Sequence, residues 1–273
     1  MLKISGLFVY PIKSLGGIAV SSAQVTSRGL KHDRRWMLVD EHNRFLSQRE
    51  VPQMALLYVE ITNNGLLVMH RQQPEEFINI PFLFEANETA LCTIWDDTCL
   101  AEFVDTEIDQ WFTEILQVKC RLVYMPEAAR RQVDQRYARA DHITSFADAF
   151  PVLIVGQASL DELNGRLKEA VPMDRFRPNI VFTGGEAFLE DQMQHFSIKN
   201  INFFGVKPCA RCPVITIDQE HATTGKEPLK TLSGYRKKNN KVYFGQNLIY
   251  EGQGIISVDD EIRIKELRPE KLI

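Results

Sequence analysis

Apolar residues in the first hundred positions fall in short runs with partial alternation, the two-residue period of strands that bury one face. Ile4, Leu7 and Val9, then Ile18, Val20, Ala23 and Val25, predict the first strands, and Trp36–Val39 and Leu56–Ile61 predict two more. Asn63-Asn64-Gly65 lies between two such runs and predicts a hairpin, because Asn and Gly tolerate positive φ. Asp96-Asp97-Thr98 separates a further pair, Leu91–Trp95 and Cys99–Val104. The period then changes. Ile108, Trp111, Phe112, Ile115 and Leu116 recur at helical spacing, with Thr106 three residues before Asp109 as the expected cap.

The second half mixes short elements. Pro151–Val155 is an apolar strand candidate, and Ser159, three residues before Glu162, is placed to open a helix with Leu160, Leu163 and Leu167 on one face. Ile180–Phe182 and Ile201–Phe204 read as strands, with Gly184-Gly185 and Lys199-Asn200 as turns. Ile255–Val258 and Glu261–Ile264 are expected to pair around Asp259-Asp260. The fold class implied is mainly β with α+β elements. Strand pattern gives way to an Arg-rich stretch near Met125-Pro126, which divides the chain into units of residues 1–125 and 126–273.

Composition narrows the class without naming an activity. The 273 residues suffice for one large or two smaller domains, and 44% hydrophobic with 25% charged residues is ordinary for a globular protein. A net charge of −4 argues against a general nucleic-acid surface. No apolar run approaches the roughly 18 residues of a membrane span. Met1–Ser5 leads into strand pattern rather than a signal peptide. Five widely spread cysteines fit reduced thiols, and a cytoplasmic setting is expected.

Cys209 and Cys212 are the most informative of the five. One Cys-x-x-Cys is half of a tetrahedral zinc site, and Cys92 and Cys99 lack the usual knuckle spacing. A thioredoxin-type pair should sit between a strand and a helix, whereas Pro213–Asp218 reads as another strand. Metal, redox chemistry and coincidence all remain open on this spacing alone. Arg211 and Lys207 add positive charge, which favours a thiolate and suits an anionic ligand beside the sulfur. Tyr10–Ser14, Asp33–Trp36 and Phe176–Asn179 are further polar clusters at strand ends, each also readable as solvated side chains. Trp95, Trp111 and Phe112 read as core, and Cys92, Cys99 and Cys120 as buried free thiols.

Taken together, these segments resemble the MOSC family of molybdenum-cofactor proteins, preceded by its β-barrel-like N-terminal domain. The resemblance runs through Tyr10-Pro11-Ile12-Lys13-Ser14, Asp33-Arg34-Arg35-Trp36, Gln48–Met54 and Ser145-Phe146-Ala147-Asp148. It continues through Phe176-Arg177-Pro178-Asn179, Pro208–Cys212, Glu227–Leu232 and Phe244-Gly245-Gln246-Asn247. Order and spacing are similar to the YcbX-type bacterial proteins and the mitochondrial amidoxime-reducing components.

The resemblance implies that Cys212 ligates molybdenum and that Cys209 is a structural neighbour. It implies cofactor contacts from Lys13, Ser14 and Arg34, and from Asp148, Ala149, Arg177, Ala210, Arg211 and Asn247. Asn179 either holds the loop or reaches the pterin. Residues 1–35 would then share a pocket with the second unit. The cofactor implied is Mo-molybdopterin, with or without an attached nucleotide. Its phosphate and dithiolene charge explain the Lys and Arg content, since Arg binds phosphate oxygens in bidentate fashion. The reaction implied is reduction of N-hydroxylated small molecules, with Asp148 as a catalytic group that handles a proton or orients water; capping the following turn is its plain structural alternative.

YcbX-type proteins commonly continue into a four-cysteine ferredoxin domain, which this sequence lacks. A separate electron donor is therefore expected: a ferredoxin, a flavodoxin or a reductase. Arg130, Arg131, Arg136 and Arg139 offer a basic stretch to dock one, or an ordinary solvated loop. Neither a nucleic-acid partner nor a membrane is expected. Two other functions compete: a cofactor-binding or sulfur-carrying module without turnover, and a zinc-stabilised binding protein using Cys209 and Cys212.

Overall fold

The computed structural model describes residues 1–138 and 141–269. Its fold is mainly β, as the alternation predicts. The largest sheet runs in the order Ile18–Val20, Lys3–Val9, Ile180–Thr183, Val152–Gly156, Lys241–Glu251, Ile201–Arg211, Met193–Ile198 and Ile262–Leu267. Its pairings are antiparallel except between Val152–Gly156 and Ile180–Thr183. Parallel neighbours need a crossover, and helix Gln157–Asn164 lies in the one that joins them. Residues from the start of the chain are thus built into a sheet made mostly by its second half. Ile4, Leu7 and Val9 pack with Ile154, Ile180, Phe196, Phe203 and Leu248. Their uneven spacing is explained by a register shift between Ile4 and Gly6, which inserts one residue and restores the inward face.

Of the remaining first-half strands, Ser22–Thr26 and Gly29–Leu30 form a three-stranded sheet with Gly254–Ser257, and the others form two further small sheets. Trp36–Val39, Arg121–Tyr124, Asp97–Phe103 and Thr89–Ile94 make one, and Leu57–Ile61, Gly65–His70 and Gln73–Pro81 make the other. Helix Thr106–Leu116 lays Ile108, Phe112 and Leu116 into a core shared with Leu57, Val59, Leu66 and Val68. Among the described residues no helix is long and apolar enough to cross a membrane.

Several local expectations are corrected. The cap of helix Thr106–Leu116 is Asp105, whose carboxylate accepts from the amides of Glu107 and Ile108. Ser159 lies inside its helix, which starts at Gln157; its hydroxyl donates to Glu190 Oε2 and accepts from the Phe188 amide. The Asn63-Asn64-Gly65 hairpin forms without any positive φ, and the Thr62 hydroxyl ties the turn at both ends of Gly65. Glycine is needed there because a Cβ would stand 2.1 Å from the Ile80 carbonyl oxygen. Pro213–Thr216 is a 3-10 turn, not a strand. The segments around Asp259-Asp260 do not pair with each other. Gly254–Ser257 joins Ser22–Thr26, while Ile262–Leu267 joins Met193–Ile198. Their turn signal was real, but the two strands leave it for different sheets.

Candidate functional site

A cleft of about 940 Å³, counted to its open mouth, is lined from both halves of the chain. It brings together Lys13, Ser14, Arg34, Asp148, Ala149, Arg177, Asn179, Ala210, Arg211, Cys212 and Asn247. Lys13, Ser14 and Arg34 arrive from the segments between Val9 and Trp36, whereas Cys212 stands just past the end of strand Ile201–Arg211. Register shifts at 205/207 and 208/210 mark where that strand twists beside Lys241–Glu251 before delivering the cysteine.

At the inner end, Tyr10 is sandwiched between two guanidinium groups, 4.3 Å from Arg34 and 4.4 Å from Arg177. The Tyr10 hydroxyl donates to the Pro178 carbonyl at 3.1 Å, and burial pushes its pKa far above the usual phenol range. Buried Asp33 accepts from the Tyr10 amide at 2.9 Å and from Arg34 Nη1 at 2.6 Å. Arg34 also donates to Asn179 Oδ1 and to the Arg177 carbonyl. Asp33 and Arg34 are therefore not the solvated strand-end pair their sequence also allowed. Asn179 is tied to the fold: Oδ1 accepts from Arg34 and from the Leu153 amide, and Nδ2 donates to the Phe8 carbonyl. It holds the loop that presents Arg177.

Arg211 donates to the carbonyls of Phe244 and Phe176 at 2.8 and 3.0 Å. Its Nη2, and Nη2 of Arg177, are buried without a hydrogen-bond partner. Burial lowers the Arg177 pKa to about 10, so it stays charged at neutral pH. Orphaned buried donors are costly, and two on one cleft point to an acceptor that the protein itself does not supply. Ser14, Arg34 and Arg177 all sit at left-handed φ (70°, 49° and 51°), a conformation that non-glycine residues adopt at local cost and that clusters at functional sites. Gly245, at φ 81°, lets Arg211 and Val155 approach its backbone; a Cβ would lie 2.8 Å from the valine side chain.

Toward the mouth, buried Lys13 donates to the Phe146 carbonyl at 2.8 Å and to Asp148 Oδ1 at 2.6 Å. Desolvation lowers the Lys13 pKa while Asp148 opposes that fall. Desolvation also acts to raise Asp148, but Lys13, the Trp95 indole and Arg34 together hold its carboxyl well below the usual range. Asp148 is therefore ionised at neutral pH and acts as an acceptor. Arg131 fixes this segment from behind, donating to the carbonyls of Ser145, Ala147 and Asp148 while pairing with Asp97.

That buried role removes Arg131 from the proposed basic docking stretch. Arg136 pairs with Asp134, Arg130 stays exposed, and Arg139 lies outside the described residues. Lys207 does not reach the cleft; its Nζ lies 4.7 Å from the Tyr137 ring centroid.

All five cysteines are free. Burial pushes the Cys92 thiol up to about 12 and those of Cys99 and Cys120 up to about 11, which makes them inert core residues. Burial also raises Cys209, against the opposing charge of Arg211, so the thiolate expected from neighbouring charge does not extend to it. Among the described residues no group of three or more His, Cys, Asp or Glu converges as a metal site. The zinc reading thus lacks a donor set.

Sequence reasoning missed Arg49, Trp95 and Arg175. Trp95, expected in the core, is 42% exposed at the mouth, with Nε1 donating to Asp148 Oδ1 at 3.1 Å. Arg49 stacks on it at 4.2 Å, and Arg175 pairs with Asp218. Among the described residues six basic side chains and one carboxylate line this cleft, in a chain whose net charge is −4. Such local concentration of one sign focuses the field on an anion.

A cleft between an N-terminal β-domain and a second sheet, with a strand-end cysteine among arginines, defines the class. Residues 1–119 match the MOSC N-terminal beta barrel domain and residues 141–263 match the MOSC domain. The chain belongs to the MOSC family. It is 29% identical over 278 residues to mitochondrial amidoxime-reducing component 1 of Mus musculus, covering 95% of this chain and 81% of that one. To mitochondrial amidoxime reducing component 2 of Bos taurus it is 31% identical over 242 residues, 85% and 72% of the two chains. It is also 29% identical over 289 residues to the molybdenum cofactor sulfurase of Solanum lycopersicum, 96% of this chain but 35% of that protein.

Proposed function

We propose that this protein is a molybdenum-cofactor-dependent reductase of N-hydroxylated compounds, fed by a separate electron-donor protein. The observation that carries the reading is the convergence of Cys212 with two orphaned buried guanidinium nitrogens, on Arg177 and Arg211, in a single basic cleft. That donor set fits an anionic, sulfur-ligated group: a soft thiolate for the metal, and fixed cations for phosphate and dithiolene charge. Cys212 would be the protein ligand. Arg34, Arg177 and Arg211 would neutralise the cofactor's negative charge, with Ser14, Asn247 and the Ala149 and Ala210 backbone along its polar edges. When bound, the cofactor supplies a two-electron couple for the overall change R–NH–OH + 2e⁻ + 2H⁺ → R–NH₂ + H₂O.

The protein's own part is orientation and electrostatics. The Tyr10–Arg34–Arg177 stack and the carbonyls beneath Arg211 fix the cations before any ligand arrives. Ionised Asp148, anchored through Oδ1, has Oδ2 without a protein partner among the described residues. That oxygen can hold a water or receive an N–H from substrate; it is not a proton donor at neutral pH. Free, reduced cysteines fit a cytoplasmic setting.

The match to a cofactor sulfurase favours a second reading, a carrier of cofactor or sulfur without turnover. Molybdenum-loaded protein with an artificial electron donor separates the two. Conversion of benzamidoxime to benzamidine, or of hydroxylaminopurine to its amine, supports the reductase. No turnover by fully loaded protein supports the carrier.

A further inference from the structure

The rim of the cleft holds a second polar constellation, centred on Arg49 and Trp95. Arg49 lies over the Trp95 ring at 4.2 Å and 6.0 Å from Phe45, and among the described residues its side chain makes one hydrogen bond, from Nε to Ser47 Oγ at 3.3 Å. Neither terminal nitrogen has a carboxylate or carbonyl partner among the described residues. Lys13, Arg34, Arg175 and Arg211, the other cations bonded within this cleft, each hold a carboxylate or a backbone carbonyl. Arg177, whose Nη2 also lacks a partner among the described residues, is packed on Tyr10 at the inner end instead.

Trp95 is itself unusual. It is a large aromatic residue, 42% exposed, at φ 56° in the turn between strands Thr89–Ile94 and Asp97–Phe103. A bulky residue in that conformation is an outlier that the surroundings must enforce. Here the indole Nε1 is bonded to Asp148, which Lys13 holds in turn. The indole therefore carries an unpaired cation on its face and an anchored carboxylate at its edge.

Resting on the reductase reading, we propose that Arg49 and Trp95 determine substrate choice, selecting flat N-hydroxylated compounds that carry an anionic substituent. The N–H donors of the substrate's hydroxylated end meet Asp148. The ring lies along the aromatic rim of Trp95 and Phe45, and the anionic substituent is taken by the free guanidinium edge of Arg49, which suits a carboxylate in bidentate fashion. Arg49 is a specificity residue in this account, and the chemistry at the metal does not need it.

The test compares 4-carboxybenzamidoxime with benzamidoxime on molybdenum-loaded protein, wild type against Arg49→Ala and Arg49→Lys. Wild type is expected to prefer the carboxylated compound. Arg49→Ala should lower the ratio of kcat/KM values by about tenfold, through KM, as for a lost charged hydrogen bond. Arg49→Lys should recover part of it. Calorimetric binding of 4-carboxybenzamidoxime to oxidised protein without a donor reads the same preference independently of turnover. Arg49-dependent binding without turnover in wild type would overturn the reductase reading, and with it the role in substrate choice, while leaving Arg49 as the contact of the anionic substituent. Equal losses for both compounds, binding that ignores Arg49, or a fall in molybdenum content in Arg49→Ala would overturn the present inference.

Discussion

The two ends of the cleft are built by opposite rules. At the inner end, Arg34 and Arg211 are locked by carbonyls and a buried carboxylate, and Tyr10 stacks between Arg34 and Arg177. At the rim, Arg49 rests on one exposed indole with a single long hydrogen bond. On the proposed reading the inner end serves one fixed anionic occupant, since rigidity there reduces the cost of ordering charges when it binds. The rim retains side-chain freedom, which suits substrates that vary.

The largest expected effect tests the inner end. Tyr10→Ala removes a buried ring that two arginines rest on, and should cost about 3–5 kcal/mol of folding stability in denaturant titration. Tyr10→Phe loses only the bond to the Pro178 carbonyl and should cost about 1 kcal/mol. If both substitutions were equally mild, the inner end would be no more rigid than the rim.

A second prediction contrasts two carboxylates. Asp148 is held ionised, whereas burial pushes Glu190 up to about 7, with Oε1 lacking a hydrogen-bond partner. Because the folded pKa lies above the unfolded value of 4.5, the protonated form stabilises the fold. That contribution is fully present below about pH 4.5 and is lost as pH rises through about 7. Its full size is on the order of 3 kcal/mol, from about 1.4 kcal/mol per pKa unit. Glu190→Gln should flatten this part of the stability–pH curve; an unchanged slope would show that another group titrates there. At the rim, Trp95→Phe removes the indole bond to Asp148 and should change stability by less than about 1 kcal/mol. A larger loss would mean that the rim also serves as a structural clamp.

Much of this contrast was legible in the sequence, but unevenly. The motifs that carry Lys13, Arg34, Arg177 and Cys212 are contiguous and short, so their residue types announced a basic, sulfur-bearing site before any geometry was known. The strand alternation held even where a bulge at Ile4/Gly6 broke its period. What failed depended on contacts distant in sequence. Trp95 follows an apolar strand and reads as core, but it sits in an exposed turn and bonds to Asp148, 53 residues away. Arg131 sits among charged residues and reads as solvated, yet carbonyls of residues 145, 147 and 148 enclose it. The Asp259-Asp260 turn predicted a local pair, and tertiary partners on either side claimed both strands. Lys207 belongs to the same strand as Cys209, but it lies outside the cleft and packs on Tyr137.

The central claim is that Cys212 holds molybdenum in a preformed basic cleft. Metal analysis of protein expressed in a molybdenum-replete host, wild type beside Cys212→Ser and Cys209→Ser, tests it most directly. The account predicts one molybdenum per chain in wild type and in Cys209→Ser, and its loss in Cys212→Ser. Zinc in place of molybdenum, or full molybdenum retained by Cys212→Ser, would contradict it.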